Sequence, residues 1–170
     1  MSAVDKRKLR GDRVRAGILY YATQIASRDG LEYLTFGHLA ADAGIARSNI
    51  QVLFGDKEAL QLATNEYGIA IYFREVVDPA MAKPTPWEQL VAQVEGWYAF
   101  VENRTLPGGC LIHALSNEYR TRVGTIRKRV DQHRADAHAR FLDLLEQAKS
   151  AGQIHRDIDV HQVAFELTSH

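Results

Sequence analysis

Arg47, Ser48, Asn49 and Gln51 carry the clearest chemistry in this chain. They place a guanidinium, a hydroxyl and two primary amides close together on one short segment. These groups suit the edges of base pairs: Arg matches guanine O6 and N7, and Asn or Gln matches adenine N6 and N7. Lys57 lies nearby, in the first turn of a further predicted helix whose free N–H groups also favour an anion, which suits a phosphate. Thr35 reads as a helix cap, either purely structural or also touching phosphate. An exposed polar helix face is the competing reading of the same residues.

The elements that must position them are legible between residues 35 and 58. Thr35 can cap a helix by accepting a hydrogen bond from a free backbone N–H. Phe36, Leu39, Ala40 and Ala43 follow the spacing of one buried helical face. Gly44 falls where a left-handed residue should end that helix, and Ile45 can fill the gap after it. A second helix is predicted from about Ala46 to Leu53, with Ile50 and Phe54 turned inward. Two short helices joined by a Gly-containing turn form a helix-turn-helix, whose second helix fits the major groove of DNA.

Formal net charge is zero, so total charge announces no nucleic-acid partner. Its distribution is more informative. Lys6, Arg7, Lys8, Arg10, Arg13 and Arg15 face only Asp5 and Asp12 in the first fifteen residues, a basic arm suited to phosphate contacts or a solvated tail. No apolar run approaches bilayer length, the N-terminus lacks a secretory apolar region, and Cys110 is the single cysteine. These features fit a reducing cytoplasm, and no membrane partner is expected.

Glycine and proline divide the chain into helical blocks, giving an all-α fold. A first block runs from about Asp12 to Arg28. Another opens at Asp56 and continues to about Val77, where Pro79, Pro84 and Pro86 are expected to break the chain. Thr85-Pro86-Trp87-Glu88 starts a further helix with a cap, a proline at the first position and a capping-box Glu. That helix carries Leu90, Val91, Val94, Trp97, Tyr98 and Val101. A short helix over about Cys110–Tyr119 follows. A long one after Gly124 has Ile126, Val130, Ala137, Phe141, Leu144, Leu145 and Ala148 as its stripe. Asp159 caps a final helix bearing Val160, Val163, Ala164 and Leu167. This helix is still in full apolar pattern at His170, so the chain is expected to continue and this stripe to need a partner.

A ligand cavity is expected between residues 86–103, the short helix and the long helix. Trp97, Tyr98, Val101, Cys110, His113, Glu118 and Phe141 are its candidate residues, with His113 and Glu118 as polar groups. Trp87 and Phe100 are further aromatic candidates. A solid core is the alternative, and a preformed pocket should reach roughly 300 Å³. Arg120, Arg122, Arg127, Lys128, Arg129 and Arg134 form a second basic cluster, read as a solvated face or a site for an acidic ligand. Enzyme motifs are not found: there is no HExxH, GxSxG, P-loop or dinucleotide fingerprint. No metal or cofactor is expected.

The first 58 residues resemble the DNA-binding domain of the tetracycline-repressor family of bacterial transcription regulators. Arg15, Ile18-Leu19, Ala22, Gly30, Thr35, Leu39-Ala40, Ala43-Gly44-Ile45, Ile50, Phe54 and Lys57-Glu58 carry the resemblance. Gly108-Gly109-Cys110-Leu111, Glu118 and the run from Ala151 to Asp159 are similar to one of the family's C-terminal domains. Where the family often has an aromatic residue and then a histidine touching phosphate, this chain has Gln51 and Leu53. The resemblance implies a helix-turn-helix domain over residues 1–56 and a helical-bundle ligand-binding and dimerisation domain over 57–170. It implies a homodimeric repressor that binds a palindromic double-stranded DNA operator and is released by a small-molecule inducer. The alternative is a helical ligand-binding or scaffolding protein without DNA binding.

Overall fold

The computed structural model describes the backbone of residues 3–169 and the side chains of residues 11–169. Lys6, Arg7, Lys8 and Arg10 of the basic arm therefore lie outside the described side chains. All regular structure among the described residues is helical, and no helix there is long and apolar enough to cross a membrane.

Helix α1 spans Ala3–Asp29, starting earlier than its apolar stripe suggests. Helix α2 spans Phe36–Ala43. Its Thr35 hydroxyl accepts from the His38 N–H at 3.1 Å, and Gly44 ends it in the left-handed region at φ 64°. Helix α3 spans Arg47–Phe54, and helix α4 spans Lys57–Tyr72, where the Asp56 carboxylate accepts from the Ala59 N–H at 2.8 Å.

The expected break at Pro79 is a correction. After α4 the chain makes a wider π-type turn over Phe73–Val77 and goes straight on into α5, Asp78–Met81, with Pro79 in its first turn. Inside an ordinary α-helix a proline lacks the N–H and crowds the carbonyl four residues back. Here the Asp78 N–H reaches back five residues to the Phe73 carbonyl. Pro79 thus meets a helix start, where its missing donor is tolerated.

Helix α6 spans Pro86–Glu102. Thr85 accepts from the Glu88 N–H at 3.3 Å and donates its hydroxyl proton to Glu88 Oε2 at 3.0 Å, a side-chain pair at the expected cap. Its buried face holds Leu90, Gln93 and Phe100, while Tyr98, expected on that face, is 57% exposed. Gln93 is buried because its amide oxygen accepts from Arg140 Nε at 3.0 Å. Helices α7 (Leu111–Glu118), α8 (Thr125–Ser150) and α9 (Val160–Thr168) complete the described chain.

One apolar core runs without interruption from Leu39, Ile50 and Phe54 through Ile18, Ala22 and Leu60 to Phe100, Leu115 and Val130. A smaller core joins Leu90, Phe141, Leu144 and Leu145 to Val160 and Ala164, with Val163 and Leu167 packed beside them. The α9 stripe is therefore covered within the chain. This corrects the expectation that the stripe itself needs a second copy. Phe165, at 59% exposure, is what α9 leaves uncovered.

Two substitutions test this packing. A methyl group on Gly108 would sit 1.7 Å from the Ser27 carbonyl oxygen, and backbone cannot step aside. Gly108→Ala should therefore lower stability by on the order of 1–3 kcal/mol in chemical denaturation. Asn65 is 1% exposed and neither amide atom has a hydrogen-bond partner in the structure. Asn65→Leu, close in shape, should raise stability by roughly 1 kcal/mol; a fall in melting temperature would mean that the amide is satisfied after all.

Candidate nucleic-acid interface and adjoining cavity

Helix α3 is seated by Ile50 and Phe54, both buried, and by a residue from another helix. Arg15 of α1 donates from Nη1 to the Leu53 carbonyl at 3.2 Å and lays its guanidinium 4.4 Å from the centre of the Phe54 ring. A cation there also matches the negative C-terminal end of the helix dipole. Sequence alone grouped Arg15 with the basic arm. The fold gives it the separate task of fixing α3.

Arg47, Ser48, Asn49 and Gln51 are all exposed on α3. Val52 is 86% exposed among them. At 3.6 residues per turn it lies about 200° round the helix from Ile50, and it follows Ser48 by one turn. A search for polar groups overlooks it, yet an apolar side chain in a major groove meets the thymine methyl group. Thr35 spends its hydroxyl oxygen on the α2 cap and keeps its proton to donate. Lys57 points its ammonium at Glu32, donating to the carbonyl at 3.0 Å and to the carboxylate at 3.3 Å. An ammonium has three donors, so one is left for a phosphate.

Glu32 belongs to the turn between α1 and α2. There the Glu118 carboxylate, from the end of α7, accepts from the Leu31 N–H at 2.9 Å and the Glu32 N–H at 2.8 Å. Glu32 in turn accepts the Tyr119 hydroxyl proton at 2.6 Å and pairs with Arg122 at 3.4 Å. Gln61 of α4 donates to the Leu31 carbonyl at 2.6 Å. The Tyr119 hydrogen bond, helped by Lys57 and Arg122, holds the Glu32 carboxyl below its usual range against the opposing effect of burial. Burial, followed by Glu32 itself, pushes the Tyr119 phenol well up, so it remains a donor.

A cavity of about 120 Å³ opens between α4, α6, α7, α8 and α9. Trp97, Tyr98, Cys110, His113 and Phe141 line it, as does Phe100. Glu118 does not. Its carboxylate is committed to the turn at Leu31 and Glu32, a correction to its expected place among the cavity's polar groups. Val101 also lies off the cavity, packed against the main core, and Trp87 sits outside at 42% exposure. Arg134 joins the lining from the long helix, and Tyr72, Leu167 and Thr168 join it from α4 and α9, which were not expected to form its walls.

The volume is below the roughly 300 Å³ expected of a preformed small-molecule pocket, a second correction. Three contacts account for it. The Trp97 and His113 rings lie 5.6 Å apart across the gap, Leu111 presses on α4 where Gly68 has no side chain, and Leu167 of α9 closes one side. Among the described residues no cluster of His, Cys, Asp and Glu could hold a metal ion.

Residues 86–170 match the family model described as the tetracyclin repressor-like C-terminal domain. Solved structures resemble the whole architecture. A TetR transcriptional regulator from Chloroflexus aurantiacus superposes with a TM-score of 0.83 at 21% identity, over 94% of this chain and 81% of that one. A TetR-family regulator from Cytophaga hutchinsonii gives 0.80 at 20% identity, over 93% and 79%. AibR, in complex with isovaleryl coenzyme A and operator DNA, gives 0.71 at 21%, over 89% and 80%. At these identities the likeness carries the fold alone. No curated protein is a significant sequence match.

The Glu118 contact makes a prediction of its own. Glu118→Ala leaves two partly buried N–H groups without acceptors and should cost about 1–3 kcal/mol in thermal unfolding. Amide exchange should accelerate at Leu31 and Glu32 before it does in α6. Acid should loosen the same turn. Because the Glu32 carboxyl is held low in the fold, its contribution is complete above the ordinary glutamate value of about 4.3 and is lost as pH falls through the depressed value. Stability that rises on acidification through this range would contradict the assignment.

Proposed function

The chain belongs to the tetracycline-repressor family, and from that premise we propose that it is a ligand-responsive, DNA-binding transcription regulator. We assign it the role of a repressor and not of an enzyme. Two copies place their α3 helices in successive major grooves of a palindromic operator, about one helical turn apart. A small-molecule inducer taken up next to α7 releases the DNA. A cytoplasmic location follows from this role. The observation that carries the reading is helix α3 itself: four exposed polar side chains and Val52 stand on a helix locked from behind by Ile50, Phe54 and Arg15. The structure of AibR with isovaleryl coenzyme A and operator DNA gives it further support.

Thr35, Arg47, Ser48, Asn49, Gln51 and Lys57 are the proposed contacts, with Val52 added for a thymine methyl. The division into a head of residues 1–56 and a body of 57–170 follows the same reading. For the homodimer, Phe165 and the outer faces of α8 and α9 are the proposed contact, packing the same patch against itself about a twofold axis.

A gel shift over a salt series on the DNA upstream of the protein's own gene tests this. Arg47→Ala or Asn49→Ala should cost on the order of 1–3 kcal/mol of operator binding where the residue makes a bidentate base contact. Lys57→Ala should weaken all sequences alike and flatten the salt dependence. Binding that neither substitution alters would place the interface elsewhere. No shift on any promoter fragment would favour the second reading, a helical ligand-binding protein, to which Gln51 and Leu53 in place of the family's phosphate contacts already point. Sedimentation at micromolar concentration should give a dimer, and Phe165→Glu should disperse it.

A further inference from the structure

The cavity beside α7 has a one-sided electrostatic character. Ile69, Val94, Phe141 and Leu167 make much of its wall apolar, and among the described residues no carboxylate lines it. Its one guanidinium is that of Arg134, exposed at the rim.

Among the described residues Arg122, Arg127 and Arg129 of this basic stretch are paired, whereas Arg120, Lys128 and Arg134 are not, and of these three Arg134 is the one that lines the cavity. Arg122 pairs with Glu32, and Arg129 pairs with Glu66 through two bonds at 2.5 and 2.8 Å. Arg127 pairs with Asp131 at 2.6 Å and also donates to the Tyr119 and Arg120 carbonyls. Among the described residues Arg134 has no hydrogen-bond or ion-pair partner. An acid facing it across the cavity would have satisfied it, and none is there. A free guanidinium beside an apolar recess has the geometry to take a planar anion through two parallel hydrogen bonds. The Tyr72 hydroxyl adds a further polar group to the lining, while the Thr168 hydroxyl donates to the Ala164 carbonyl at 2.8 Å.

The volume limits what goes inside. About 120 Å³ is close to the roughly 150 Å³ of an apolar protein cavity that holds benzene. A ring or a short branched chain fits, and a polycyclic body does not. We infer that the cavity takes a small monocarboxylate, an aromatic or branched aliphatic acid of roughly five to seven carbons. Its hydrocarbon part lies among Ile69, Val94 and Phe141, and its carboxylate lies on Arg134. This rests on the cavity being the effector site. It does not depend on what α3 binds.

Three probes of matched shape and different charge test the inference on the full chain: benzoate, benzamide and benzylamine, with 3-methylbutanoate as the aliphatic acid. Melting temperature and calorimetry are the readouts. The acids should raise the melting temperature in proportion to their occupancy of the folded state. Benzamide and benzylamine should bind at least about tenfold more weakly, the scale of a charge-assisted hydrogen bond. Arg134→Gln should weaken benzoate by about the same factor and leave both benzamide binding and the unliganded melting temperature unchanged, since Arg134 has no partner among the described residues. The inference is overturned if benzamide or benzylamine binds as tightly as benzoate. It is equally overturned if Arg134→Gln binds benzoate like the parent, or if neither acid binds at millimolar concentration. A gel shift of the same unliganded protein on operator DNA keeps the two proposals apart: its failure removes the DNA-binding role and leaves the acid site to its own result.

Discussion

The backbone N–H groups of Leu31 and Glu32 sit in the turn between α1 and α2, where neither helix can accept from them. Their acceptor is the Glu118 carboxylate, 87 and 86 residues away. A partly buried donor without a partner costs about 1–3 kcal/mol, so the turn and the end of α7 hold each other in place. Glu32 then collects Tyr119, Lys57 and Arg122, and Gln61 takes the Leu31 carbonyl. Five side chains, from α4 and from the end of α7 and the residues after it, converge on Leu31 and Glu32. The path of α2 and α3 away from α1 is set there.

Helix α1 is the second shared element. Near its middle Arg15 fixes the end of α3, while further on the Ser27 hydroxyl accepts from the Gly108 N–H at 2.9 Å, in the loop before α7. Between them Thr23 faces α4 across a seam in which Thr23 and Thr64 bond to carbonyls of their own helices. Asn65, in the same helix as Thr64, is the exception, with an amide that nothing satisfies. An apolar side chain there would pack at lower cost, so asparagine is not the most stable residue that this position in α4 could hold.

Much of this was legible in the sequence where the signal is local. Thr35, Asp56, Thr85 and Asp159 each cap the helix that their position indicates, because a cap depends on a few adjacent residues. Exposure along α3 followed from its period, though Val52 was missed because only polar side chains were sought. The features set by distant residues were not legible. Glu118 looked like a polar group for a cavity, and only the folded chain brings it to Leu31. His133 interrupts the apolar stripe of α8, yet it is buried with Glu66 3.0 Å away. Pro79 reads as a break unless the π-type turn before it is known, and that turn has no local sequence signal. The cavity volume depends on how Trp97, Leu111 and Leu167 interlock, which periodicity does not encode.

The position of α7 ties these points together. Its first turn, from Leu111 to His113, lines the cavity, and its last residue holds the turn at Leu31 and Glu32. A helix of eight residues is about 12 Å long, and close-packed interiors transmit displacement because they compress little. Widening the cavity must move α7 or one of the helices around it. Leu111 already presses on α4 at Gly68, so α7 can yield on that side only if α4 moves with it. Both helices reach the same turn, α7 through Glu118 and α4 through Gln61 and Lys57. A molecule too large for the present volume that makes room by displacing α7 or α4 therefore strains the contacts that orient α2 and α3. Whatever the head binds in its present orientation must, by linkage, oppose that molecule's entry by the same free energy. A molecule small enough to fill the existing space exerts no such strain and shifts the head only as far as it prefers one arrangement of α7 over another.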